Sequence, residues 1–204
     1  MKTNKFFNTK SLVLLGLLTA MVMLFAFTPI GSIPIGPLVI TLNVIPVAIA
    51  AMALGPIGGA IIGGVFGLLS FLQCFGIGVP SAMGEILVGI NPFLAFVQRF
   101  VPRVLDGFLV GFIFKLTAKL ANRYAACFVT GFFTAFLNTA LFMSALVLLF
   151  GNTSYMKETM AGKGFLLYII TAVGINAVFE MISATIISGA IGTALIKARF
   201  IDQK

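Results

Sequence analysis

Apolar residues fill six long stretches of this chain, at about 11–27, 38–54, 57–71, 91–119, 124–150 and 165–198, and short breaks rich in glycine, proline or polar residues separate them. None of the stretches alternates with the two-residue period of a half-buried strand, and none confines its apolar positions to the single stripe of a soluble surface helix. They read as helices that are hydrophobic all round, most of them near the ~20 residues needed to cross a bilayer. The breaks fit the same picture. Residues 28–37, TPIGSIPIGP, hold Pro29, Pro34 and Pro37, which stop a helix. Gly55-Pro56 is a tight turn, so the second and third helices form a hairpin. Residues 72–90 are interrupted by Gly76, Gly78, Pro80 and Gly84 and read as a long ordered loop with room for a short helix. Asn91-Pro92 is a capping signal for the fourth helix. Within the helices, Pro46 is expected to break the second and Pro102 to kink the fourth between two arginines.

Composition places these helices in lipid. Of 204 residues, 60% are hydrophobic and only 9% are charged, against roughly 25% in soluble domains. The expected fold class is an all-α integral membrane protein, a single domain over residues 1–204 with six transmembrane helices and ordered outer loops. The opening MKTNKFFNTK and its apolar run are read as the first of these helices, not as a signal peptide, because no clear cleavage pattern follows.

The net charge of +8 could suggest a nucleic-acid partner, but its distribution follows the membrane. If six helices alternate across the bilayer, the lysines and arginines at 2, 5, 10, 115, 119, 123, 197, 199 and 204 share one side, and only Lys157 and Lys163 lie in loops on the other. The positive-inside rule then puts both termini in the cytoplasm and the loops 28–37, 72–90 and 151–164 outside. The chain is expected in the cell membrane, multi-pass, with no nucleic acid partner.

Four charges remain inside the membrane: Arg99, Arg103, Asp106 and Glu180. A charge at the bilayer centre costs on the order of 3 kcal/mol on insertion scales, so such residues face protein or a wet cavity and mark function. On a helix, positions 99, 103 and 106 fall within roughly 60° of one another. Asn176, Glu180 and Ser183 repeat that spacing on the sixth helix. Counting ~1.5 Å per residue from the outer helix ends puts Arg99 about 10 Å deep, Arg103 about 17 Å, and Asp106 and Glu180 about 21–22 Å. Arg99 is therefore the candidate to meet an external anion, since its fork of donors suits a carboxylate. Gln98, Asn138 and Asn176 are candidate neutral partners. Arg103 is a further candidate contact, held by Asp106, by Glu180 or by both, and those two carboxylates are expected to form structural ion pairs.

Two stripes of small residues stand out. Gly55, Gly59, Gly63 and Gly67 recur every fourth residue, and Gly16 with Ala20 forms a second pair on the first helix; either could receive another helix closely. Enzyme chemistry has little support. The chain has no histidine, no phosphate-binding loop and no G-x-S-x-G elbow. Cys74 and Cys127 are far apart, without metal-ligand spacing. No cofactor and no metal are expected.

The hairpin NVIPVAIAAMALGPIGGAIIGGVFGLLSF at 43–71, PRVLDG at 102–107 and GINAVFE at 174–180 together resemble the substrate-binding S components of energy-coupling factor (ECF) vitamin transporters, most of all the pantothenate-type branch. The resemblance covers nearly the whole chain. It implies a vitamin site formed by helices four to six and capped by the first, third and fifth loops. It also implies docking onto a membrane T component with two cytoplasmic ATPases, and toppling in the membrane to release the vitamin inside. Gly16 and Ala20 match the spacing of the family's docking pattern on the first helix, with glycine in place of alanine. Pantothenate, with one carboxylate, two hydroxyls and an amide, suits Arg99, Gln98, Asn138 and Asn176. Riboflavin, folate and cobalamin are carried on the same scaffold, and a self-sufficient secondary carrier using Asp106 and Glu180 as ion sites is the remaining alternative.

Overall fold

In the computed structural model, residues 8–29, 31–35, 38–160 and 164–201 are described. Lys2, Lys5, Pro37, Lys163 and Lys204, which entered the sequence argument, lie outside them. The order of elements is α1 (Thr9–Phe27), β1 (Ser32–Ile35), β2 (Leu38–Thr41), α2 (Val44–Leu72), a 3-10 turn (Gln73–Phe75), α3 (Ala82–Ile90), α4 (Pro92–Leu120), α5 (Arg123–Phe150), α6 (Ser154–Met160) and α7 (Phe165–Lys197). Helix dominates, and Thr9–Phe27, Val44–Phe75, Arg123–Phe150 and Asn176–Lys197 are long and apolar enough to cross a membrane. The described residues thus hold seven α-helices, where the sequence led to an expectation of six membrane-crossing ones.

Part of the difference lies at Gly55. Its φ of 77° and ψ of −167° are not helical, and φ in that region costs glycine nothing. The chain doubles back there. A Cβ built on Gly58 would sit 3.1 Å from the Ala50 carbonyl oxygen, and one on Gly59 3.0 Å from Ala51 Cβ, whereas eight residues along one straight helix rise about 12 Å. α2 is therefore two arms joined by the Gly55-Pro56 turn. Two expected helices thus count as one element, and α3 and α6, in the connections 72–90 and 151–164, bring the total to seven.

The start of the second helix needs correction. Leu38–Thr41 is not helical but pairs antiparallel with Ser32–Ile35, in the register Ser32↔Thr41 to Ile35↔Leu38. β-branched residues flanked by proline and glycine favour this over helix. Helix begins only at Val44, so Pro46 falls in its first turn, where the missing N–H costs nothing.

α2 packs along α4, and α5 along α7. The glycine stripe is what brings α2 and α4 together: Cβ atoms at Gly59 and Gly63 would overlap the carbonyl oxygens of Gly107 and Arg103, and one at Gly67 would come within 2.9 Å of Phe100 Cα. This stripe faces inward, against α4 backbone. Gly16 and Ala20, by contrast, are exposed on α1, and nothing lies within 4 Å of a Cβ built on Gly16. α4 runs through Pro102 as one helix. It begins as expected, with Asn91 Oδ1 accepting from the Leu94 N–H at 3.1 Å and Pro92 at the first position.

Candidate functional site

Arg99, Arg103 and Asp106 all point inward from α4, each 6% exposed or less, while Val101, Leu105, Phe108, Leu109 and Phe112 on the opposite side are exposed. A polar helix face is thereby turned away from the surrounding apolar surface. Above it lies a cavity of about 110 Å³. Phe66, Ser70 and Gln73 reach it from the second arm of α2 and the turn that follows, and Thr41 from the end of β2. Val79, Pro80 and Ser81 come from the connection into α3, and Met83 from its first turn. Arg99 and Arg103 line it from α4, Asn138, Thr139, Phe142 and Met143 from α5, and Asn176 and Glu180 from α7.

The connection that covers the cavity is tied down at the end of α1. Ala26 O accepts from the Val79 N–H at 3.0 Å and from Gln73 Nε2 at 3.1 Å. Gly78, with φ 90°, lies so close to that carbonyl that a Cβ there would come within 2.6 Å of the oxygen. Ser81 then caps α3, its Oγ accepting from the Gly84 N–H at 3.2 Å.

The same Ser81 Oγ accepts from Arg99 Nη2 at 3.1 Å, and Ser70 Oγ from Arg99 Nη1 at 3.4 Å. One arginine thus joins α2, α4 and the covering connection. With both oxygen lone pairs of Ser81 engaged, its O–H remains as a donor. Gly84 is needed here, because a Cβ would meet Cys74 Sγ at 2.5 Å and Arg99 Nη2 at 2.9 Å.

Arg103 is held differently. Its guanidinium carbon lies 4.5 Å from the Phe66 ring centroid and 4.7 Å from that of Phe142, and Nη1 donates to Arg99 O at 3.0 Å. Cation–π contact of this kind contributes about 2 kcal/mol when desolvated. Phe142 also lies 5.1 Å from the Arg99 guanidinium carbon. A single ring therefore serves both cations.

Among the described residues nine buried side-chain polar atoms have no hydrogen-bond partner: Arg99 Nε, Arg103 Nε, Asn138 Oδ1 and Glu180 Oε1 on cavity residues, and Asn43 Oδ1, Gln98 Oε1, Asp106 Oδ1, Ser188 Oγ and Thr193 Oγ1 off it. Leaving such a group unsatisfied costs about 1–3 kcal/mol, more when it is charged. The two unmet nitrogen donors both belong to cavity residues, together with two unmet acceptors. A polar molecule entering the cavity would find both donors and acceptors to pair with.

Of the residues singled out from sequence, Arg99, Arg103, Asn138, Asn176 and Glu180 are brought together at the cavity. Gln98 is not. It is fully buried, with Nε2 turned to Phe142 O at 3.5 Å, so it braces α4 on α5. Asp106, 2% exposed, also lies off the cavity. Arg103 interacts through charge with both Asp106 and Glu180, but among the described residues Asp106 Oδ1 and Glu180 Oε1 accept no hydrogen bond, and the direct contacts of Arg103 include two rings and a carbonyl oxygen. Sequence reasoning missed Ser70, Ser81, Phe66 and Phe142. Neutral hydroxyls carry no cost that flags them, and 22 phenylalanines hide the two that matter.

The described residues contain no group of three or more His, Cys, Asp or Glu side chains able to hold a metal ion. Both cysteines are free and buried. The site offers hydrogen bonds and charge, and binding is the chemistry these residues support.

The family described as "ECF transporter, substrate-specific component" matches residues 10–191. A curated relative, the pantothenate transporter PanT of Leuconostoc mesenteroides subsp. mesenteroides, is 32% identical, the alignment covering 96% of this chain and 95% of that protein. Both the family and this relative are transporters, not enzymes, in keeping with a multi-pass membrane protein. The chain belongs to the family of substrate-specific components of ECF transporters.

Proposed function

We propose that this chain is the pantothenate-binding subunit of an ATP-driven ECF importer. The observation that carries the proposal is the charge balance of the cavity. Two guanidiniums and one carboxylate line it, leaving one net positive charge, the complement of a monoanion with a neutral polar body. Pantothenate is such a molecule. Its carboxylate meets Arg99 and the free O–H of Ser81; Asn138 and Asn176 take the amide. The identity to a pantothenate transporter supports the same ligand. Folate carries two carboxylates, and the second would fall against Glu180 or go unpaired. Riboflavin and cobalamin leave Arg99 without a carboxylate.

The whole chain acts as one transmembrane domain in this reading. Six segments cross: α1, the two arms of α2, α4, α5 and α7. Both termini lie in the cytoplasm, and the cavity opens outward beneath β1, β2 and α3. α4 crosses despite its charges because they are turned inward and its outer face is apolar. The family resemblance supplies the partners, a membrane T component with two cytoplasmic ATPases. The exposed face of α1, where Gly16 and Ala20 stand among Leu12, Val13, Leu17 and Leu24, is the candidate docking surface. Toppling is supported by the near absence of charge in residues 28–37 and 72–90, which hold only Glu85. Equilibrium binding of labelled pantothenate to the purified chain, without nucleotide, tests the proposal. One equivalent binds, and Arg99→Ala weakens it about 10- to 100-fold. Undiminished binding by that variant removes Arg99 from the site.

A further inference from the structure

The two deep carboxylates of the bundle part company at the cavity wall. Asp106 lies off it, whereas Glu180 lines it, is 5% exposed, and has Oε1 without a hydrogen-bond partner. Arg103 interacts with Glu180 through charge but makes no hydrogen bond to it: its guanidinium lies over Phe66 and Phe142, with Nη1 on the Arg99 carbonyl. The cavity is thus lined by donors, Arg99, Arg103 and the Ser81 hydroxyl, and by an unpartnered acceptor on Glu180. A carboxylate accepts and does not donate. A ligand that satisfies both must carry an anion for a guanidinium and hydrogen-bond donors, such as hydroxyls, for Glu180.

We infer that Glu180 is a specificity-determining residue that accepts hydrogen bonds from the ligand's hydroxyl groups, and that it fixes the direction in which the ligand lies. This deepens the pantothenate reading and rests on it. Pantothenate carries its carboxylate at one end and both hydroxyls at the other, with the amide between. Glu180 repels the carboxylate and attracts the hydroxyls, while Arg99 attracts the carboxylate, so the reversed pose is disfavoured twice. An analogue lacking the hydroxyls leaves a buried carboxylate unpaired, the circumstance in which sites reject a substrate analogue most strongly.

The test is a thermodynamic cycle by calorimetry on the purified full-length chain. It uses pantothenate and its dideoxy analogue, in which hydrogen replaces both hydroxyls, against wild type, Glu180→Gln and Glu180→Met. Wild type should prefer pantothenate over the dideoxy analogue by about 100-fold or more. Glu180→Gln, which keeps an uncharged acceptor, should weaken pantothenate about 10-fold, and Glu180→Met more. Neither should weaken the analogue by more than about threefold. Equal weakening of both ligands would mean that Glu180 only braces the bundle, and would overturn the inference while leaving the pantothenate reading intact. Equal wild-type affinity for the two ligands would overturn it without any variant having to fold. Failure of wild type to bind pantothenate would overturn the underlying reading and this inference with it.

Discussion

Gly63→Ala offers a direct test of how the site is scaffolded. A Cβ at Gly63 would overlap the carbonyl oxygen of Arg103, with the carbonyl carbon at 3.0 Å and Val104 Cα at 3.5 Å. All of these are backbone atoms, so no side chain can swing aside. α2 and α4 must part, by roughly 1 Å if a normal carbon–oxygen contact of about 3.3 Å is to be restored. Overpacking of this kind costs about 1–3 kcal/mol. The neighbouring Gly64→Ala supplies the control. Its Cβ would lie 3.6 Å from Phe100 Cε2 and from Val104 Cγ2, an ordinary contact. Both variants gain the same helix propensity, up to about 1 kcal/mol, so their difference isolates the clash. At roughly 2–4 °C per kcal/mol for a chain of this size, Gly63→Ala should melt about 2–12 °C below Gly64→Ala. The chain has no tryptophan, but Cys74 and Cys127 are both buried. A thiol-reactive dye therefore reports unfolding in detergent. Equal melting temperatures, or a higher one for Gly63→Ala, would refute the claim that the stripe holds α2 against α4. Displacing α4 also moves Arg99 and Arg103, so the same variant should bind pantothenate more weakly.

Other consequences follow from particular contacts. Gly84→Ala pushes on Arg99 Nη2 and Cys74 Sγ and should weaken pantothenate binding by about 10-fold while costing less stability than Gly63→Ala, measured by calorimetry and melting side by side. After α7, Arg199 takes φ 59° and the Phe200 N–H returns to Leu195 O at 2.9 Å, folding Ile201 back to 4% exposure; Ile201→Ala should cost about 2 kcal/mol, the low end for a buried isoleucine, with binding per folded molecule unchanged. Liposomes holding this chain alone should show no pantothenate accumulation under a proton or sodium gradient, whereas accumulation would favour a secondary carrier working through Asp106 and Glu180.

The elements most legible in the sequence were those with a large energetic cost attached. Arg99, Arg103 and Glu180 announced themselves because charges in apolar helices need a reason, and the cavity holds all three. Gly55-Pro56 and Asn91-Pro92 were legible because few residues can occupy a positive φ or cap a helix. The strand Leu38–Thr41 was not, since a short apolar run of β-branched residues fits either helix or strand until its partner is known. Nor was the way Arg103 is held. Spacing puts Asp106 on the same face as Arg103, but it says nothing of rings arriving from α2 and α5. Gln98 was misplaced for a similar reason: being next to Arg99 in sequence turns it about 100° away around the helix.

The most direct measurement is the identity of the molecule this protein retains. The full-length chain is purified in an equal mixture of pantothenate, riboflavin, folate and cobalamin, washed, denatured, and the released molecule quantified by mass spectrometry. Pantothenate in about one equivalent per chain, falling about 10-fold or more for Arg99→Ala, is the predicted result. Release of a different vitamin in that amount, or none of the four, would contradict the account.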